Sequence, residues 1–406
     1  MSSLRTAATA KDAADPLAPL RDRFHVDDGE VYLDGNSLGA LPRSVPDRLA
    51  EVVGHEWGRL RIRSWTESGW WEAPQRVGDR IAPLLGAAPG TTVVADSTSV
   101  NVFKAVVGGV RLAAARDPRR NEVLVDESTF PTDGYIAQSA AELTGCALRV
   151  LPAGEIPDAL TPRTAVALVN HVDYRSGELR DLPGITAAVR AAGALSLWDL
   201  CHSGGALPVG LAEHGVDLAV GCTYKYLNGG PGAPAYLYVA PEHQADFRSP
   251  LPGWNSHRDP FGMAPEFTPA EGALRGRVGT PDILSLLALD AALDVWDEPA
   301  AEITAIREKS LALTDFFVHC VREYLPKALA DGSVRNLTPE RHDRRGSQIA
   351  LRCPDALALT AELQRRGVVV DHRPPDVLRF GFTPLYTRFA DAERAAKTLA
   401  EALGEA

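Results

Sequence analysis

At 406 residues and 45% hydrophobic, the chain can bury one large core and a second, smaller one, so two domains are expected. Its 42 Lys+Arg against 53 Asp+Glu leave a formal charge of -11 with no basic run interleaved with aromatics. That argues against nucleic acid and anionic membrane surfaces as partners. Five scattered cysteines without a CxxC pair argue against a disulfide framework and a zinc ribbon, and fit a reducing cytoplasm.

In chain order, the first fifteen or so residues are small and polar, lack the apolar core of a secretory signal, and are expected to be loose. No later apolar run reaches membrane-spanning length. A short strand, VYLD, runs into Gly35-Asn36-Ser37-Leu38-Gly39 and then a helix beginning near Ser44. The GxSxG spacing matches the nucleophile elbow of serine hydrolases, but an elbow belongs between a central strand and a helix, and this turn runs straight into Ala40-Leu41-Pro42. His55-Glu56 starts a zincin-like pattern that fails at Arg59, so no metal is expected.

From about 91 onward, β-rich runs alternate with helical stretches: TTVVAD, EVLVDE, AVALVNHV, LSLWDL, VDLAVGC and PAYLYVA, with helices such as VNVFKAVVGGVRLAAAR and YIAQSAAELTG between them. Apolar runs of this kind imply a mostly parallel sheet covered on both faces. Residues 45–285 are therefore expected to form a large α/β domain. Long helices then give way to SQIALRC, VVVDHR, VLRFGF and a last helix, an α+β domain over 286–406 that the segment 1–44 is expected to join.

The chemistry concentrates at two strand ends. Lys225 follows the apolar strand VDLAVGC and precedes the glycine-rich LNGGPG, at the edge of the sheet where ligands bind in α/β folds. A desolvated lysine there is a Schiff-base nucleophile. Asp199 ends the buried strand LSLWDL, and a carboxylate in that position needs a positive partner. The pyridinium nitrogen of pyridoxal phosphate (PLP) is one, and holding it protonated makes the ring an electron sink. His202, three residues on, is placed to reach the same region.

The segments YLDGNSLG, ADSTSVNVFK, FPTDGY, WDLCH, CTYKYLNGGPG, GW at Gly253-Trp254, RVGTP and LRFGFTPLY together resemble kynureninase from about Tyr32 to Tyr386. The resemblance implies a PLP-dependent aminotransferase-like fold (fold type I). It also implies cytoplasmic hydrolysis of L-kynurenine to anthranilate and L-alanine, and a homodimer with shared active sites to which Trp254 and Thr280 cross over. By motif, Lys225 would carry PLP, Asp199 would meet the ring nitrogen with His202 beside it, Phe130 would stack on the ring and Asp133 would stand near it. Thr98 and Ser99, at a helix start, would bind the phosphate, with Tyr224 and Trp254 completing the cradle. Tyr224 would also deliver a proton. Thr280 is expected at both cofactor and substrate. Arg379 would hold the substrate carboxylate with its planar fork, while Asn36 and Ser37 shape the substrate site.

Trp65, Gly279 and Thr280 would face the aromatic ring. They offer only the Thr280 hydroxyl to a 3-hydroxy substituent, which implies a preference for plain L-kynurenine. Two positions depart from the family pattern: Cys201 stands where a small residue is usual, and Asn255-Ser256 where an aromatic and a glycine are. The rival readings are a cysteine desulfurase-like PLP lyase, a GxSxG hydrolase around Ser37, and a catalytically silent PLP-binding protein. The first needs a mobile loop cysteine, whereas Cys320 and Cys353 fall in a helix and a strand.

Overall fold

The computed structural model describes residues 3–405. Its strands are β1 (Val31–Tyr32), β2 (Thr92–Val94), β3 (Glu122–Asp126), β4 (Ala147–Leu151), β5 (Thr164–Asn170), β6 (Leu195–Asp199), β7 (Leu218–Gly221), β8 (Tyr236–Val239), β9 (Arg335–Asn336), β10 (Gln348–Arg352), β11 (Val368–Val369), β12 (Asp371–Arg373) and β13 (Val377–Gly381). Seven of them form the large sheet in the order β2-β8-β7-β6-β5-β3-β4. β8 runs antiparallel to both neighbours and the other pairings are parallel. β3, β5 and β6 are buried along their whole length, the state their unbroken apolar runs predict for strands covered on both faces.

One face packs on the helix Thr98–Arg116, whose Gly109 lies so close to the sheet that a Cβ there would meet Val166 at 2.9 Å. The other face packs against Val77, Ile81, Ile185 and Val189 from two further helices, with Leu286, Leu287 and Leu289 from Ile283–Ala292 in the same core.

The smaller sheet, β12-β13-β10-β9, is antiparallel, and β1 pairs in parallel with β11. Its core gathers Phe317 and Cys320 from helix Ile303–Tyr324, Phe380 and Phe382 around β13, and Leu399 from helix Phe389–Ala402. The expectation of a loose N-terminus is corrected: Ser3–Ala13 is a helix. Leu4 and Ala8 are buried in this core, and the Asp12 carboxylate accepts the first N–H groups of the last helix, Phe389 at 2.7 Å and Ala390 at 3.0 Å. The segment is locally polar because only one narrow stripe is buried, and its carboxylate finds helix donors 377 residues away in sequence.

Among the described residues no helix is long and apolar enough to cross a membrane.

Candidate active site

Because β2, β3, β6 and β7 run the same way, the residues that follow them converge on one sheet edge. Thr98 and Ser99 open the helix after β2, Phe130 and Asp133 follow β3, Asp199 ends β6, and Lys225 follows β7. Parallel registration of Asp199 with Val220 sets the lysine loop beside the aspartate.

Lys225 Nζ lies 3.3 Å from His202 Nε2 and 5.7 Å from the centre of the Tyr224 ring. Burial, reinforced by the Lys225 charge, holds the His202 imidazole well below its usual range, so the ring is neutral. The Tyr224 phenol is held well above its ordinary range, first by the neighbouring Cys222 and then by burial, and keeps its proton. Burial, then the Asp199 charge, raises the Asp133 carboxyl well above its ordinary range. Asp199 also accepts the Cys201 N–H at 2.8 Å, and Asp133 accepts the Thr129 hydroxyl at 3.1 Å.

Both carboxyls are buried, and neither forms an ion pair among the described residues. A buried carboxylate pair without a guanidinium or ammonium against it suits a cationic heterocyclic nitrogen. At the start of helix Thr98–Arg116, Ser97 caps Val100 N, so the Thr98 and Ser99 N–H groups point out of the helix end as an anion cradle. These features fit PLP.

Behind this cradle Lys104, fully buried, donates to Asp96 at 2.7 Å and to the Gly276 carbonyl at 2.6 Å. It ties the left-handed turn at Asp96 (φ 55°) to the RVGTP segment. Phe130 stands 41% exposed at the helix start, edge-on to Tyr174.

The GNSLG turn is seated against the lysine loop. Gly39 N donates to the Tyr224 carbonyl at 2.7 Å, and a Cβ at Gly39 would lie 2.3 Å from the Lys225 carbonyl, so only glycine fits. Asn36 is fully buried, donating to Gln348 at 3.2 Å. Ser37 Oγ donates to Asp371 at 2.9 Å and accepts from Arg379 Nη2 at 3.0 Å. Its partners are an acid and an arginine, with no imidazole to act as base, so the elbow reading has no triad. Ser37→Ala is expected to leave the protein coloured by its cofactor and at least partly active. Loss of all turnover with the colour intact would give the hydroxyl a larger role.

Arg379 is fully buried at the centre of β13, and its Nη1 donates to the Tyr174 carbonyl at 2.6 Å. Its Nε and Nη2 both donate to the Asp371 carboxylate, facing it across β12 and β13. Arg373 adds a second contact to Asp371 at 2.8 Å. One edge of the fork is thus already committed to Asp371, a partner that sequence reasoning missed. An acid inside the apolar run VVVDHR was the available signal. Burial, then the charge of Asp371, pushes nearby Asp34 up to about 6.

Trp65 and Trp254 stand 6.5 Å apart in an aromatic group with Trp71 and Phe261. Trp254 is therefore grouped with Trp65, a residue expected near the substrate. Gly279 and Thr280 line a cavity of about 330 Å³ with Ser97, Asn255 and Arg277. Among the described residues Asn255 Nδ2 and Arg277 Nε are buried there without hydrogen-bond partners; the sequence marks Asn255 only as a departure from the family pattern and Arg277 only as the start of RVGTP, and gives neither a site role.

Asp217, Glu242 and His243 cluster away from this edge, but Arg190 already pairs with both carboxylates and Arg116 donates to His243 Nδ1.

Residues 306–399 match the family model described as kynureninase C-terminal domain. The chain is 48% identical over 403 residues to a kynureninase of Burkholderia pseudomallei (strain 1106a), covering 98% of this chain and 95% of that one. A Deinococcus radiodurans kynureninase matches with the same identity and coverage. Among solved structures, the cystine C–S lyase C-DES in complex with cysteine persulfide superposes with a TM-score of 0.79 at 18% identity, covering 92% of this chain and 98% of that one. The cysteine desulfurase CsdA of Escherichia coli gives 0.77 at 19%, covering 96% and 98%. At such identities these two establish the fold.

Proposed function

The chain belongs to the kynureninase family, and from that premise we propose how its own residues carry out the family reaction. The protein is a PLP enzyme that hydrolyses L-kynurenine to anthranilate and L-alanine. The observation that carries our assignment of residues is the convergence of Lys225, His202, Asp199 and Asp133 on the edge where Thr98 and Ser99 open a helix.

Lys225 would hold the cofactor, Asp199 would meet its ring nitrogen, Phe130 would cover its face, and Thr98, Ser99 and Tyr224 would take its phosphate. Bound there, PLP supplies an electron sink for charge that develops at the substrate Cα and Cβ. Lys225 moves the Cα proton, and neutral His202 beside it leaves the amine without a like charge to oppose. Tyr224, which keeps its phenolic proton, is the donor toward Cβ. Arg379 would receive the substrate carboxylate on its Nη1–Nη2 edge, exchanging its contacts with the Tyr174 carbonyl and Ser37 for it, with Asn36 and Ser37 forming the wall. Trp65, Gly279 and Thr280 would enclose the aryl ring.

We further propose a cytoplasmic homodimer in which Trp254 and Thr280 act across the interface. Exposed Leu41, Val53 and Leu284 line one apolar groove, and the free cysteines suit a reducing compartment.

Visible absorbance of the purified protein, followed by anthranilate release from kynurenine, tests the assignment of function. The same preparation should show a higher kcat/KM for L-kynurenine than for 3-hydroxykynurenine, because Trp65 and Gly279 offer no partner to a buried hydroxyl. The reverse order would overturn the preference and make Asn255, with its unpartnered Nδ2, the hydroxyl's partner.

A further inference from the structure

Two thiols that this chemistry does not use lie beside the lysine. Cys201 follows β6 and Cys222 follows β7, each two residues beyond the Asp199–Val220 pairing of these neighbouring strands. The Cys222 N–H donates to Cys201 Sγ at 3.2 Å, and Cys222 Sγ donates to the Cys201 carbonyl at 3.7 Å. Both are free thiols, 9% and 4% exposed. Neighbouring strands, about 4.8 Å apart, fall within the Cα separations of about 4.4–6.8 Å that a disulfide spans. On its other side Cys201 Sγ touches the Thr98 hydroxyl at 3.8 Å.

We propose that Cys201 and Cys222 are an oxidisable dithiol that closes to a disulfide on exposure to hydrogen peroxide, and that closure loosens the cofactor by pulling Cys201 away from Thr98. The second half rests on the phosphate site assigned above; the first half does not.

In the first step the Cys222 sulfur attacks one peroxide oxygen and the O–O bond breaks. The leaving hydroxide takes the thiol proton as water, and Cys222 becomes a sulfenic acid. The Cys201 sulfur then attacks the Cys222 sulfur, the S–O bond breaks, and the hydroxyl departs with the Cys201 proton as a second water. Two thiols lose two electrons and one peroxide becomes two waters.

The local charges divide the roles. Burial opposes ionisation of Cys222, yet the hydrogen bond from Cys201 and the Lys225 charge hold its thiol below the usual value. Cys201 is held up, by that same hydrogen bond and then by burial. The attacking and resolving sulfurs are therefore distinct. The other cysteines lack this arrangement: Cys320 and Cys353 are packed in the small-domain core, and Cys146 is half-buried beside the outer strand β4.

The test treats the holoenzyme with hydrogen peroxide, alkylates the remaining thiols and maps the peptides. A linked pair of peptides containing residues 201 and 222 is expected, with two thiols lost per chain and a fall in the visible cofactor band. Dithiothreitol and added PLP should restore both. Cys201→Ser, and independently Cys222→Ser, should give no linked peptide and keep the band. Recovery of both cysteines as free thiols, or as singly oxidised sulfinic acids, overturns the dithiol. Equal loss of the band in the serine variants overturns its coupling to the cofactor. A protein with no visible band before treatment would remove the cofactor reading, while the linked peptide would still decide the chemistry of the two thiols.

Discussion

Lys225→Ala is expected to give a folded protein without the absorption band of a lysine-bound cofactor and with no measurable conversion of kynurenine. Three features lead to this outcome. The amine is half-buried and its nearest polar partner is the neutral His202 ring at 3.3 Å, so no acid in ion-pair contact ties it down. The two other buried lysines cannot replace it: Lys104 lies between Asp96 and the Gly276 carbonyl, and Lys309 is bound to Asp15 and the Pro384 carbonyl. The same amine is assigned the Cα proton, and loss of a positioned proton-transfer group alone costs about 10²–10⁴-fold. Removing a side chain that forms no ion pair among the described residues should leave thermal unfolding close to that of the cofactor-free wild type, so that melting transition beside an inactive protein lacking the lysine-bound band is the expected pair of results. A variant that keeps both colour and turnover would move the cofactor lysine elsewhere.

The fold and much of this site were legible in the sequence because both depend on local patterns. Apolar runs of four to seven residues became strands buried on both faces, and their ends, where Asp199, Thr98 and Lys225 stand, became one edge as soon as the strands were parallel. Contacts made between distant segments were not legible. Asp371 meets Arg379 only because β12 and β13 pair antiparallel in that register. Lys104 sits on the apolar side of its helix as if misplaced, and its partners come from the preceding turn and from Gly276, 172 residues on. The N-terminal helix has good helix formers but only 11 residues and two buried apolar positions, too short to stand alone, so its stability comes from packing on the last helix, whose first N–H groups Asp12 caps. The odd residue at Cys201 was visible as a departure from the family pattern. Its meaning emerged only with Cys222 beside it and Thr98 behind it.

Asp199→Asn is expected to retain the cofactor and lose at least tenfold in turnover. A neutral amide in place of the carboxylate keeps the shape of the site but gives up a charge-assisted hydrogen bond to the ring nitrogen, a contribution of about 1.5–3 kcal/mol. At about 1.4 kcal/mol per factor of ten, that alone accounts for a tenfold to hundredfold fall, before any loss of electron withdrawal by the ring is counted. Asp133 provides the internal control. Burial first and the Asp199 charge second push its carboxyl toward the neutral form, so a neutral amide at Asp133 is the milder exchange. Its effect should be the smaller of the two. Turnover and the visible spectrum of both variants at the same pH distinguish the roles. Near-normal turnover in Asp199→Asn would exclude Asp199 as partner of the ring nitrogen. An equal loss in both variants would mean that the two carboxyls act as one unit, with the proton placed by the pair rather than by Asp199.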